Sequence, residues 1–242
     1  MTVALALALA AIGLALVSAL VLRSVGPGLR IGRLLAGTRL IGVDEAIRLA
    51  TTDPGRYVRV TGRISSDEEF PDDQNRPLVF RWTRLEIKGS GDANWRSVLD
   101  EREAVPFGVE SRSDYLGIDD VALADGLVVI PRVSLGVVSD LPADFDAELP
   151  AGTDPATPAR LTIEQLSAVE HATAVGRVEL RDGGASLTAD TNRPLIVTTL
   201  DQSAAMRVLA RGKRQRVVMG SVGLAVSLGL LVGAVAAFVV GI

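Results

Sequence analysis

The sequence predicts a membrane protein in which two terminal transmembrane helices flank a β-rich α+β domain. Three observations predict it. Val217 to Ile242 runs twenty-six residues without a charge, enough to span a bilayer core as one tilted helix. Val3 to Leu22 is a second uncharged run, twenty residues long, at the other end. Between them, short segments that alternate apolar and polar residues are punctuated by Gly, Pro and Asp, the pattern of strands and turns.

Charge separates the same regions. All 29 acidic residues fall between Asp44 and Asp201, where there are sixteen basic ones, an excess of thirteen acids. The flanks hold no acid and nine bases: Arg23, Arg30, Arg33, Arg39, Arg207, Arg211, Lys213, Arg214 and Arg216. An acidic body argues against a nucleic-acid partner, which requires a basic face. The bases beside the spans (Arg23, Arg30, Arg33, Arg211, Lys213, Arg214, Arg216) suit anionic lipid head groups. By the positive-inside rule they place the domain in the cytoplasm. With no cysteine in the chain, disulfides, thiolate metal sites and a cysteine nucleophile are excluded.

The elements follow in order. Residues 1–23 form the first span. Met1-Thr2 lacks a basic lead and the apolar run exceeds a signal-peptide core, so an uncleaved anchor is preferred to a signal peptide. Gly26-Pro27-Gly28 predicts the end of that helix, with a basic connector over 24–41. A first β-rich part spans 42–140. In it, Val43 to Ala50 reads as a short amphipathic helix stopped by Asp53-Pro54-Gly55. Tyr57 to Ile64 alternates as a half-buried strand, and Ser65 to Pro77 is an acidic loop. Leu78 to Ile87 and a segment from about Trp95 form a hairpin across Gly89 to Asp92. Ala104 to Glu110 precedes a turn at Ser111 to Asp114, and Leu127 to Val138 is a strand that Pro131 breaks or holds at an edge.

Residues 141–160, rich in Pro, Ala and Asp, read as a linker. A second part spans 161–210. Thr162-x-x-Gln165 resembles a capping box that opens a helix to about Glu170. Ala172 to Leu180 and Ala185 to Ala189 form a hairpin across Asp182-Gly183-Gly184, and Pro194 to Leu200 is a further strand. Asp201 then caps a helix that continues through the basic lead into the second span, 211–242. Within that span Gly229-x-x-x-Gly233 offers a small-residue packing face, although chance matches are common in so Ala- and Gly-rich a helix. One echo recurs: helix, short connection and a strand ending in Gly-Arg, at Gly62-Arg63 and Gly176-Arg177. It suggests two similar β subunits, with each glycine marking a bulge or a close backbone approach.

No catalytic constellation emerges. His171 is the only histidine, and its nearest carboxylate is the adjacent Glu170, so it reads as a surface or capping residue. The acidic loop, with Asp67-Glu68-Glu69 and Asp72-Asp73, has oxygen ligands but not the alternation of a calcium loop. Asp119 and Asp120 are adjacent and point apart. Trp82 and Trp95 are expected to meet across the hairpin in a core aromatic contact. No cofactor or metal is implied. The candidate interaction surface comprises the acidic loop with Asp72 and Asp73, and the strand edge near Arg63 and Arg177.

The succession of GRI strand, PLVFRWTRLEI, VPFGVE, GRVELRDGGASLTA, PLIVTTLDQ, basic lead and second span resembles the GIDE family, or beside-a-membrane (BAM) domain. That domain is best known from mitochondrial outer-membrane RING-type ubiquitin and SUMO ligases, and it also occurs in prokaryotic proteins. The resemblance covers roughly residue 40 onward. It implies a membrane-flanked recognition domain. In the ligases this domain faces away from the cytosol, opposite to the side that the basic flanks indicate here. A RING needs cysteine and histidine zinc ligands, and no position here matches them, so ligase activity does not transfer.

The expected function is therefore a two-span protein presenting a GIDE/BAM-like domain for protein-partner binding or assembly at the membrane surface, without its own catalytic site. Two alternatives stay open. One is the membrane subunit of a ubiquitin-ligase-like or proteolytic complex with catalysis in another chain, and the other is a sensor of lipid or envelope stress. The expected partners are membrane lipids, a protein the sequence does not identify, and a second copy through the transmembrane helices.

Overall fold

The computed structural model describes residues 2–89, 94–123, 126–181, 183–210 and 213–240. Residues 37–201 form one unit, and the chain ends, 1–36 and 202–242, form another.

The terminal unit is helical: α1 (Thr2–Gly37), then, after the central unit, α4 (Gln202–Ala210) and α5 (Lys213–Val240). Helix α1 does not stop at Gly26-Pro27-Gly28. A proline inside a helix costs about 3 kcal/mol. Beyond it the chain still carries the buried stripe Gly28, Ile31, Gly32 and Leu35 at helical spacing, and Gly32 admits the Met206 side chain of α4. Helix α5 runs antiparallel to α1 along a seam of small residues. Gly220 lies against Leu22, Gly223 against Ser18, and the Ser227 hydroxyl donates to the Ala11 carbonyl at 2.8 Å. Small residues permit this approach, and the serine finds its acceptor on the neighbouring backbone. The Gly229/Gly233 spacing, preferred above as a chance match, is not part of this seam, since nothing lies within 4 Å of where their Cβ atoms would stand. Val218–Ala236 is long and apolar enough to cross a bilayer, and its counterpart in α1, Ala8–Leu22, is shorter. The junction of α4 and α5, on which the expected continuous helix depends, lies outside the described residues.

The central unit opens with helix α2 (Val43–Thr52) and strand β1 (Tyr57–Ser65). There follow β2 (Phe70–Pro71), β3 (Pro77–Lys88), β4 (Trp95–Ala104), β5 (Phe107–Ser111) and β6 (Asp114–Ile118). A short α3 (Asp120–Leu123) precedes β7 (Arg132–Val137), β8 (Pro158–Ser167), β9 (His171–Arg181), β10 (Gly184–Thr188) and β11 (Ile196–Thr198). Five of these strands close on themselves. β1 pairs with β5, β5 with β6, β6 with β10 in parallel, β10 with β9, and β9 again with β1. One parallel pair in an otherwise antiparallel five-stranded Greek-key barrel is the connectivity of an OB-type fold. Alternation fills its interior with Val58, Val60, Ile64, Phe107, Val109, Leu116 and Leu187, and α2 packs Val43, Ala46 and Ala50 into the same core.

The two echoed glycines sit at inward positions of this barrel. A Cβ on Gly62 would run into the Glu110 carbonyl, and one on Gly176 would lie 2.7 Å from a Leu195 methyl. The predicted close approach is therefore present at both. The two similar β subunits are not: β1 and β9 are antiparallel neighbours in one barrel.

A second sheet, ordered β4-β3-β8-β7 with β2 at one end of β3, grows from two insertions. One joins barrel strands β1 and β5, and the other joins β6 and β9. The helix expected over 162–170 is instead β8, hydrogen-bonded to β3 on one side and β7 on the other. Pairing on both edges overrides the local capping-box pattern. Residues 141–160 are not a linker between two parts. They make a 3₁₀ turn (Ala143–Glu148) and lay Leu141, Phe145 and Leu149 against Leu85, Ile87 and Leu161 of the sheet. Pro131 does break the 127–138 run, leaving β7 as an edge strand.

Trp82 and Trp95 are not partners: Trp82 sits opposite Arg102, and Trp95 opposite Lys88. The Trp82 ring is buried between the guanidiniums of Arg84 and Arg102, at 4.2 and 4.0 Å, and its N–H donates to Asp100 at 2.6 Å.

Candidate functional site, an acid-lined cleft at the barrel wall

Hairpin β5–β6 reverses over two residues, with Arg112 in the left-handed region at φ 61°. Its outward residues include Gly108, Glu110 and Tyr115. Tyr115 lies over Gly108, where an added Cβ would come 2.6 Å from the ring, so the glycine makes room for the aromatic. The loop that leaves β1 folds back beside this hairpin. The Ser66 hydroxyl donates to the Pro106 carbonyl at 2.6 Å and accepts the Glu68 N–H at 3.2 Å, which fixes the loop's position. Between loop and hairpin is a cleft of about 440 Å³ lined by Ser65, Ser66, Asp67, Glu68, Pro106, Glu110 and Tyr115. Burial, assisted by the Asp67 charge, pushes the Tyr115 phenol above its usual range, so it remains a neutral donor at physiological pH. Among the described residues the lining holds three carboxylates and no basic side chain, while Arg63 stands opposite Glu110 in the β1–β5 ladder.

The predicted surface residues do not converge. Asp72 turns into its own loop with its side chain 4% exposed, accepting the N–H groups of Gln74 and Arg76 at 2.8 and 2.9 Å and the Arg76 Nε at 2.7 Å. The Arg76 N–H contributes most to holding its carboxyl at about 2. Partial burial opposes that, and the Gln74 N–H and the Arg76 guanidinium add to it. Asp72 therefore holds a turn together. Asp73 is exposed, 3.8 Å from Arg132, and lines a different groove. Arg63 and Arg177 stand at opposite ends of the β1–β9 ladder, opposite His171 and Tyr57 respectively, six residues or roughly 20 Å apart. Neither belongs to an edge strand, and Arg177 is tied to Glu179 at 2.7 Å.

Of the bases expected to flank a membrane, Arg30 and Arg33 are exposed on α1. Arg23 falls within α1, Lys213, Arg214 and Arg216 open α5, and Arg211 lies outside the described residues. His171 is exposed at the start of β9. Asp119 takes the Thr188 hydroxyl at 2.7 Å and Arg181 at 2.6 Å. Burial pushes its carboxyl upward, but these donors outweigh it and the net shift is downward. Among the described residues, no group of His, Asp or Glu is gathered to hold a metal ion.

Sequence reading passed over Glu110 and Tyr115. The available signal was an exposed aromatic beside a tight Ser-Arg-Ser-Asp turn, in a chain only 4% aromatic. Compared with known proteins, the chain matches no family model, no curated protein and no solved structure.

Proposed function

We propose that the chain is a two-span membrane protein whose barrel-and-sheet unit binds a protein partner at the membrane surface. The observation that carries the binding role is the cleft at the β5–β6 hairpin, where three carboxylates and one tyrosine line a wall of the barrel. That lining favours a cationic protein segment over a nucleic acid or an acidic metabolite. The antiparallel seam of α1 and α5 supports the membrane role. It sets the two apolar stretches side by side, with the basic residues that flank them at one common end. On the positive-inside rule that end is cytoplasmic. The order of sequence motifs supports kinship with GIDE/BAM domains, here without the zinc ligands of a RING.

Two measurements test the proposal in intact cells. Because the chain is cysteine-free, Ser113→Cys provides a single reporter at the hairpin turn, and an impermeant maleimide should label it only after lysis. A photo-crosslinking residue at position 115 should capture a reproducible protein product that Asp67→Lys/Glu110→Lys abolishes. If no reproducible product forms, self-crosslinks included, the binding role is wrong.

A further inference from the structure

The two faces of the β4-β3-β8-β7 sheet treat their charges differently. On one face each carboxylate is matched: Glu164 holds Arg84 at 3.0 Å, Glu86 holds Arg160 at 2.7 Å, and Asp100 accepts the Trp82 N–H. On the other face, the 3₁₀ turn arches over the sheet and leaves a groove of about 460 Å³. Its floor is Thr83, Leu99, Leu161 and Ile163, and its overhang is Pro142 and Phe145. Its rim carries Asp73, 3.8 Å from Arg132 outside the groove, and Glu101, Glu103, Asp144 and Glu148; the one base in the lining, Arg81, is already bound to Glu103 at 2.5 Å. Glu101, Asp144 and Glu148 have no ion pair among the described residues.

Closing the small core under the turn needs only Leu141, Phe145 and Leu149. It does not need like charges on both banks of a groove, and their repulsion costs stability. An apolar floor with an acidic rim fits a particular chemistry. Lysine or arginine side chains lay their methylene stems on leucine and isoleucine and carry their charged ends out to carboxylates.

We propose that this groove docks a basic segment of a partner protein in which arginines or lysines alternate with aliphatic residues. The inference rests on the partner-binding reading above and gives that partner a chemistry and a second contact site, separate from the hairpin cleft. The volume is in the range of sites that enclose a few side chains. An extended segment presents alternate side chains about 7 Å apart on one face, the spacing of Glu101 and Glu103 along β4, where Arg81 already holds Glu103 and Glu101 is left to the partner.

The test uses the full chain in zwitterionic lipid nanodiscs and a fluorescent hexapeptide of alternating arginine and leucine. Anisotropy should report saturable binding that weakens as salt rises, and a glutamate–leucine peptide should not bind. Glu101→Gln/Asp144→Asn/Glu148→Gln should weaken binding at least about tenfold with a melting temperature no lower than the parent's, since removing like-charge repulsion does not threaten the fold. Asp146→Asn, exposed on the same 3₁₀ turn but outside the groove lining, should leave the affinity unchanged. Absence of binding, or binding indifferent to the triple substitution, overturns the groove assignment. The crosslink at position 115 keeps the two readings apart. If it persists in cells while the peptide fails, the partner survives and the groove does not.

Discussion

The barrel and the sheet that grows from it are built on opposite principles. The barrel is limited by backbone crowding. Its closed circuit leaves a Cβ on Gly62 no room beside the Glu110 carbonyl and puts the Thr188 carbonyl 3.0 Å from where a Cβ on Gly176 would stand; against the barrel, in the connection after α3, Gly126 lies directly under the Leu195 carbonyl. The sheet is limited by side chains. Its strands are open at two edges, and its exterior is held by Trp82 between two arginines and by the Arg84–Glu164 and Arg160–Glu86 pairs. Adding a single methyl should therefore be costly in the barrel and cheap in the sheet. In the sheet, loss should come from leaving a buried polar group without its partner.

The largest effect is expected at Gly126→Ala, where the new Cβ overlaps the Leu195 carbonyl, and at Gly62→Ala, where it meets the Glu110 carbonyl. Neither obstacle can rotate away as a side chain would. A loss of about 3 kcal/mol is expected at each, the upper end for overpacking. Urea unfolding of the full chain in detergent, followed by tryptophan emission, measures it. A Gly62→Ala protein as stable as the parent would mean that β1 and β5 do not approach as described.

Next is Asp100→Ala, which strips the acceptor from the indole N–H of a tryptophan only 7% exposed. The expected loss is about 1–3 kcal/mol, the cost of a buried donor left unpaired. In a Trp82→Phe background the same substitution should cost much less, because no donor remains to be orphaned. Equal costs in the two backgrounds would assign the effect to β4 itself.

The same contrast explains what was legible in the sequence. The barrel strands β1, β9 and β10 and helix α2 were readable because one face of each is buried, so a period of two or of 3.6 survives in the residues. The role of Gly62 was readable because a glycine inside a strand signals close approach. Strand β8 was not readable, because its faces serve different neighbours: Leu161 and Ile163 line the groove while Glu164 holds Arg84. That leaves a pattern, Thr162 to Gln165, which also fits a helix start. The 141–149 cover was hidden because three apolar residues four apart, one on a 3₁₀ turn and one on either side of it, sit among prolines and aspartates. The hairpin cleft depends on Ser66 meeting Pro106, forty residues away. Local pattern does not carry contacts of that range.

Asp72, in the turn between β2 and β3 of the sheet, gives a smaller, pH-dependent signature. Its carboxyl sits at about 2 in the folded protein, below an unfolded value near 3.9. A depressed folded value means that its stabilisation is complete above the unfolded value and is lost as pH falls through the folded one. Melting temperatures recorded from pH 7 to pH 2 should show Asp72→Asn below the parent at neutral pH, with the gap closing between about pH 4 and pH 2. A gap that stays constant across that range would mean that the turn is held by shape and not by the charge.

The smallest effect completes the comparison. Gly136 lies on the edge strand β7, and the nearest atom to an added Cβ is an Asp140 carboxylate oxygen at 2.9 Å, the movable end of a side chain. That carboxylate also accepts the Val137 N–H at 3.1 Å, so it can shift only slightly before a bond is lost. Against this strain, alanine reduces the freedom of the unfolded chain by about 0.4–1 kcal/mol. The two terms nearly cancel, and Gly136→Ala should fall within about 0.5 kcal/mol of the parent in the same urea titration. A loss there as large as that at Gly62 would show that the sheet edge is as crowded as the barrel wall, and the distinction between the two regions would fail.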